Sequence, residues 1–227
     1  MTQNNKSNKI IIALDYDNKE SVVKLCNQLD PDYCRLKVGK QLFTKYGPHI
    51  IDLIHSKNFE IFLDLKFHDI PNTVKKSIEG LTTLPICMMT VHISGGIEMM
   101  KAAKDAVYGK NIKIFGVTAL TSLSHEDTFS IFKRTPLQQV EAMLNLAQEA
   151  GIDGVVCSPH ELELVAKRKS LLSITPGIRL SKTNDDQSRV MSPKEAILKG
   201  ANFLVIGRPI TSAKNIMHAL KKIHNSI

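Results

Sequence analysis

A short apolar run followed by an amphipathic stretch recurs eight times along the 227 residues. Lys9–Leu14 reads as a strand, and Lys19–Leu29 has helical spacing at Val22, Val23, Leu25, Cys26 and Leu29. Tyr33–Val38 is a second strand, followed by a helix over Gln41–Ser56 that Gly47-Pro48 is placed to kink. Strand Glu60–Leu65 precedes helix Thr73–Leu81, and strand Pro85–Val91 precedes helix Gly96–Val107. Asn111–Thr118 is the fifth strand, followed by a loop at Leu120–Leu123 and a helix over Pro136–Ala150 that Gly151 caps. Strand Asp153–Cys157 with helix Pro159–Lys167, strand Leu171–Thr175 with helix Pro193–Lys199, and strand Asn202–Ile206 with helix Thr211–Ile223 complete the series. Eight such units without a linker predict an α/β fold: a closed (β/α)8 TIM barrel over 9–227, behind a flexible N-terminus of residues 1–8. The strands are mostly continuous apolar runs, as expected when both faces are covered. An open doubly wound sheet is the alternative, but the first strand lacks a GxGxxG turn after it.

In such a barrel the site forms at the C-terminal ends of the strands. Those ends carry Asp15 after the first strand, Lys37 on the second, and Asp64 and Lys66 on the third, with Asp69 just beyond. Side chains on a strand alternate, so Asp64 and Lys66 are expected on one face, about 7 Å apart along the backbone. Pro71 has no amide hydrogen for a sheet and ends that strand. A carboxylate–ammonium–carboxylate cluster costs too much desolvation to be explained by stability alone. Thr121 follows the fifth strand and Pro176-Gly177-Ile178-Arg179 the seventh. Gly207-Arg208 follows the eighth, where such barrels often bind phosphate through backbone amides, a helix N-terminus and here a guanidinium. Gly207 permits close backbone approach. The polar segment Ser181–Arg189 is long for a barrel loop and reads as a lid, with Gln187 in reach of the same phosphate. His68 and His92 read as hydrogen-bonded structural residues.

Composition narrows the class. No apolar run reaches the ~18 residues of a membrane helix, and the polar start MTQNNKSNK carries no secretory signal, so a cytoplasmic protein with no membrane partner is expected. Cys26, Cys34, Cys87 and Cys157 are scattered and fit reduced core thiols. No HxH or other metal triad is present, so no metal site is expected. The net charge of +8 is spread along the chain, without Trp or an RNA-binding signature. It suits an anionic small substrate as well as nucleic acid.

Six segments occur in order: ALD at Ala13–Asp15, KVG at Lys37–Gly39, DLKFHDIPNT at Asp64–Thr73, VTALTS at Val117–Ser122, PGIR at Pro176–Arg179 and GRPIT at Gly207–Thr211. Together they resemble the orotidine 5′-phosphate decarboxylase family over nearly the whole chain, and the DxKxxDIPNT block is highly specific. The departures are VHISGG at Val91–Gly96, where VHAAGG is common, and a slightly short lid. The resemblance implies decarboxylation of orotidine 5′-phosphate to UMP, the last step of de novo pyrimidine synthesis, without metal or organic cofactor. It implies Lys66 as proton donor to C6 and Asp64 beside the substrate carboxylate. Asp15 and Lys37 would hold ribose hydroxyls, with Lys37 also orienting Asp64. It further implies a homodimer with shared active sites, in which Asp69, Ile70 and Thr73 serve the neighbour. Thr121 and Pro176 would contact the base; Arg179, Gln187, Gly207 and Arg208 match phosphate-side positions.

Two rivals remain at this level. Hexulose-6-phosphate synthase and ketogulonate-phosphate decarboxylase resemble the same DxKxxD strand but use magnesium and an enediolate; the DIPNT continuation and the PGIR–GRPIT pair argue against them. A basic nucleic-acid-binding protein is the rival of another class.

Overall fold

The computed structural model describes residues 8–179 and 191–227. The predicted flexible terminus, up to residue 7, and the predicted lid Ser181–Arg189 with Gln187 lie outside the described residues. Asn8, at the end of that terminus, donates to the Pro31 carbonyl (2.9 Å).

Eight parallel strands close into a barrel in sequence order. They are β1 (Ile10–Ala13), β2 (Arg35–Gly39), β3 (Ile61–Phe67), β4 (Met88–His92), β5 (Lys113–Val117), β6 (Gly154–Val156), β7 (Leu172–Thr175) and β8 (Phe203–Ile206). The helices are α1 (Lys19–Cys26), α2 (Lys40–Tyr46), α3 (His49–His55), α4 (Pro71–Glu79), α5 (Ile97–Ala106) and α6 (His125–Phe132). After them come α7 (Pro136–Ala150), α8 (Leu162–Ala166), α9 (Pro193–Leu198), α10 (Arg208–Thr211) and α11 (Ile216–His224). Among the described residues no helix is long and apolar enough to cross a membrane.

Strand alternation sorts the apolar side chains into two layers. Ile10, Ile12, Leu36, Val38, Ile61, Leu63, Leu204 and Ile206 face the helices, where burial of each large aliphatic contributes ~1.5–3 kcal/mol. Ile11, Ala13, Phe62, Met88, Phe115, Ile174, Phe203 and Val205 fill the barrel lumen, with Phe115 edge-on to Phe203 at 6.3 Å. The lumen is therefore a packed plug, and a site can only sit above it. The second strand departs from a continuous apolar run. It sends Arg35 and Lys37 inward: Arg35 stacks on Phe203 (5.2 Å) and pairs with Glu60 (2.8 Å), while Lys37 points to the opposite, C-terminal rim.

Local signals explain most helix ends. Helix α7 runs over the predicted Pro136–Ala150, with a Thr135/Gln138 capping box and Gly151 in the left-handed region. The helix predicted over Gln41–Ser56 is broken, not kinked, at Gly47-Pro48. Gly47 takes φ 57°, which ends α2, and Pro48 starts a new helix without an amide to give. Helix α4 begins two residues earlier than predicted because Pro71 is its first residue, where its missing N–H is no loss. Helix α6 was not expected from its periodicity, although Ser124 and Asp127 form a capping box at its start. The predicted last helix is interrupted after Thr211, and Asn215 caps the second part by accepting from the His218 amide (2.9 Å).

Candidate active site

On β1, Leu14 still donates its amide to the Lys37 carbonyl (3.1 Å), so Asp15 leaves the sheet at the barrel rim. Lys37 Nζ stands 3.5 Å from Asp15 Oδ1 and 3.8 Å from Asp64 Oδ2. The glycine that ends this strand leaves room for that ammonium: a Cβ on Gly39 would lie 3.3 Å from Lys37 Nζ. Asp64 is buried, 9% exposed, and its Oδ2 also accepts from Lys66 Nζ (2.7 Å). Asp15, Lys37, Asp64 and Lys66 thus form one chain of alternating charge across the first three strands. At an effective dielectric near 20, each unit pair at 4 Å is worth ~4 kcal/mol before desolvation, so each member depends on its neighbours.

Asp64 and Lys66 meet, but not through the pleat alone. Pairing of β3 with β4 runs Leu63 to Met89 and then jumps to Phe67 with Val91, so four steps on one strand match two on the other. Lys66 sits in this irregularity with φ 53°, a left-handed conformation rare for a lysine. The bulge re-aims its side chain toward Asp64.

Above these groups lie two adjoining cavities that share Lys37, Pro176 and Val205. The inner one, about 170 Å³, reaches Asp64 and Lys66, and Phe62, Val117, Val156, Ile174 and Thr121 are among the residues that line it. The outer one, about 550 Å³, is bounded by Asp15, Tyr16, Arg179, Gly207 and Arg208. Arg179 is buried, with its guanidinium donating to the Ile178 carbonyl (3.0 Å). Gly207 has φ −107° and ψ −108°. A Cβ there would stand 3.9 Å from Asp15 Oδ2, on the cavity side. Because α10 is only four residues long, two guanidiniums, more than a helix dipole, supply the positive end of the cleft. The arrangement suits an elongated anion: phosphate outside, a flat apolar ring inside, and a charged relay beneath the ring.

Asp69, Ile70 and Thr73 are not brought into either cavity. They are exposed, Ile70 at 67%, and Asp69 Oδ1 accepts from the Ile70 amide (2.7 Å). Among the described residues no three His, Cys, Asp or Glu side chains gather as a metal-ligand set. Sequence reasoning missed two residues here. Tyr16, whose hydroxyl is pushed up by burial and bonded by Thr211, lies beside Asp15 in the outer cavity, and adjacency to that residue was its only signal. Thr90, on β4, is fully buried against Asp64, and a threonine in a strand carries no signal.

His92 packs against His68 with ring centroids 5.2 Å apart. Burial, then His68, Lys40 and Lys66, push its imidazole from 6.5 down to about 4, outweighing the opposing pull of Asp64. Below 6.5 the unfolded chain binds the extra proton first, so the stability from neutral His92 is complete above pH 6.5 and is lost as pH falls toward 4. His92 is expected to titrate near 4 by NMR and to remain neutral at pH 6; a midpoint at 6.5 would contradict the packing.

Comparison with known proteins agrees with this geometry. Residues 8–223 match the Orotidine 5′-phosphate decarboxylase / HUMPS family. The chain belongs to that family. The orotidine 5′-phosphate decarboxylase of Shewanella sediminis is 47% identical over 99% of this chain and 98% of its own length. That of Pasteurella multocida is 46% identical over 97% and 98%. The crystal structure of orotidine 5′-phosphate decarboxylase from Lactobacillus acidophilus superposes with a TM-score of 0.85 at 35% identity, covering 96% of this chain and 98% of that one. Within the family, then, this chain is similar to the named decarboxylases over nearly its whole length.

Proposed function

We propose that the chain decarboxylates orotidine 5′-phosphate to UMP and carbon dioxide, the last step of de novo pyrimidine synthesis, and that the Asp15–Lys37–Asp64–Lys66 chain performs the chemistry. The observation that carries this reading is the placement of that relay under a small apolar slot, with Arg179 and Arg208 at the far end of the adjoining cleft. Phosphate binds at Arg179, Gly207 and Arg208. Ribose hydroxyls meet Asp15 and Lys37, and the pyrimidine lies against Thr121 and Pro176. The bond from C6 to the carboxylate breaks, carbon dioxide leaves, and the electron pair stays on C6. This vinyl-type carbanion has no adjacent carbonyl to delocalise it. The Lys66 ammonium stabilises the charge as it develops and then gives C6 its proton, leaving a neutral amine that solvent reprotonates. Asp64 holds the ammonium in place and, near the departing carboxylate, disfavours the ground state relative to the transition state. Phosphate binding remote from C6 contributes to the same barrier at ~1.4 kcal/mol per tenfold in rate.

No metal or organic cofactor enters this scheme, and the substrate is a small molecule, not nucleic acid. The enzyme acts as a homodimer whose exposed Asp69, Ile70 and Thr73 complete the neighbour's site. It works in the cytoplasm, where free thiols such as its four cysteines persist. Incubation with orotidine 5′-phosphate is expected to yield UMP at a rate unchanged by EDTA. Loss of activity on chelation, restored by Mg²⁺, would instead favour the enediolate chemistry of the sugar-phosphate members.

A further inference from the structure

We propose that Thr90 is a positioning residue of the catalytic pair, acting through its hydroxyl on both Asp64 and Lys66. Its neighbours on β4 sort cleanly: Met88 lies in the lumen, Met89 and Val91 face the helices, and Thr90 therefore points inward beneath the rim. It is fully buried, and its hydroxyl donates to Asp64 Oδ1 (2.9 Å) while accepting from the backbone amide of Lys66 (2.9 Å). A hydroxyl has one proton and two lone pairs, so a single oxygen can satisfy both partners at once. Valine has the same shape and can do neither.

Thr90 is also the β4 residue that faces the interruption in β3 pairing, between the partners Met89 and Val91. Where the regular ladder lapses, its side chain takes the Lys66 amide that a backbone carbonyl would otherwise accept. Lys66 has φ 53°, a conformation that persists only when its surroundings hold it. The two oxygens of Asp64 are divided as a result. Oδ1 is anchored by Thr90, and Oδ2 alone meets Lys66 at 2.7 Å and Lys37 at 3.8 Å. Without the hydroxyl the carboxylate is free to turn about its Cβ–Cγ bond, and the backbone that aims Lys66 loses its tether. A misplacement of the reacting groups by about 1 Å can cost a hundredfold in rate. Thr90 lines neither of the two cavities, so its effect falls on the aim of Lys66 and not on substrate affinity.

This inference rests on the assignment of Asp64 and Lys66 to the decarboxylation, and the test separates the two. Thr90→Val is expected to lower kcat about tenfold to a hundredfold, the worth of a hydrogen bond to a charged group. KM for orotidine 5′-phosphate and Kd for UMP should stay within about threefold, a split that marks loss of an interaction made at the transition state. Thr90→Ser keeps the hydroxyl and is expected to restore kcat to within about threefold of wild type. If the valine variant does not fold, Thr90→Ala removes the same hydroxyl without adding bulk and carries the same expectation. Active-site concentration is set by UMP titration, so a merely unfolded fraction does not count as lost kcat. A valine or alanine variant within about twofold of wild-type kcat, or a serine variant as impaired as they are, overturns the inference while leaving the functional reading intact. Absence of turnover in the wild-type chain overturns the functional reading and this inference with it.

Discussion

Lys66→Ala is expected to lower kcat by about 10⁴–10⁶-fold while UMP binding changes little. The magnitude follows from two roles lost together. On the proposed mechanism the ammonium stabilises negative charge as it develops at C6 and the same group delivers the proton; each role is worth about two to four powers of ten. Among the described residues the other ammonium on this carboxylate is Lys37, 3.8 Å from Asp64 Oδ2, and it also engages Asp15 at 3.5 Å, so it is not free to take over. The fold itself should survive. Asp64 keeps the Thr90 hydroxyl and Lys37, so removing Lys66 does not strand a buried charge, which is the costly outcome for an ion pair. On the same proposal UMP affinity resides in the outer cleft lined by Arg179, Gly207 and Arg208, which the substitution leaves intact, and it is expected to persist. The measurement is single-turnover decay of orotidine 5′-phosphate beside calorimetric titration of UMP. Turnover within tenfold of wild type would remove Lys66 from the proton-donor role.

The second large effect concerns a residue the single chain leaves unemployed. Asp69, three residues beyond Lys66, lines neither cavity, and its carboxylate is turned onto the Ile70 amide. Ile70, 67% exposed and apolar, accompanies it on the surface. If these residues complete a neighbour's site, Asp69→Ala should lower kcat about a hundredfold or more by removing a charge beside the reacting centre. Mixing Asp69→Ala chains with Lys66→Ala chains should then regenerate activity. In a mixed pair, the Asp69→Ala chain supplies its own Lys66 and receives an intact Asp69 from its partner. With random exchange in a two-fold dimer, about a quarter of all sites become wild type, so activity should approach a quarter of that of the unmutated enzyme. Absence of recovery, once exchange is demonstrated by labelled subunits, would sink the shared site.

Much of this molecule is legible in its sequence. The eight-fold alternation of apolar runs and amphipathic stretches reports burial directly, and burial on both faces of every strand leaves few architectures besides a closed barrel. Caps were equally readable, as at Thr135 and Gly151 around α7. The missed helix α6 shows the limit of periodicity: eight residues on the surface, with only Thr128 buried, leave a weak apolar stripe, and the Ser124/Asp127 box was its better signal. Placing Asp15, Lys37, Asp64 and Lys66 at strand ends needed only strand boundaries. Grouping Asp69 with them by proximity in sequence did not carry over to the cavities, because Pro71 turns the chain into α4 and away from the rim.

The sequence by itself determined the barrel, the rim on which the site stands and the residue types available there, since local periodicity records which face of each element is buried. Only the tertiary structure decided who touches whom. Asp15 and Lys37 are 22 residues apart, and Asp64 and Thr90 are 26 apart. Such pairs are set by the register of parallel strands around a closed barrel, which no local pattern encodes. The bulge in β3 is decided at the same level. It places Lys66 in a left-handed backbone and aims it at Asp64 because Thr90, from the next strand, holds its amide.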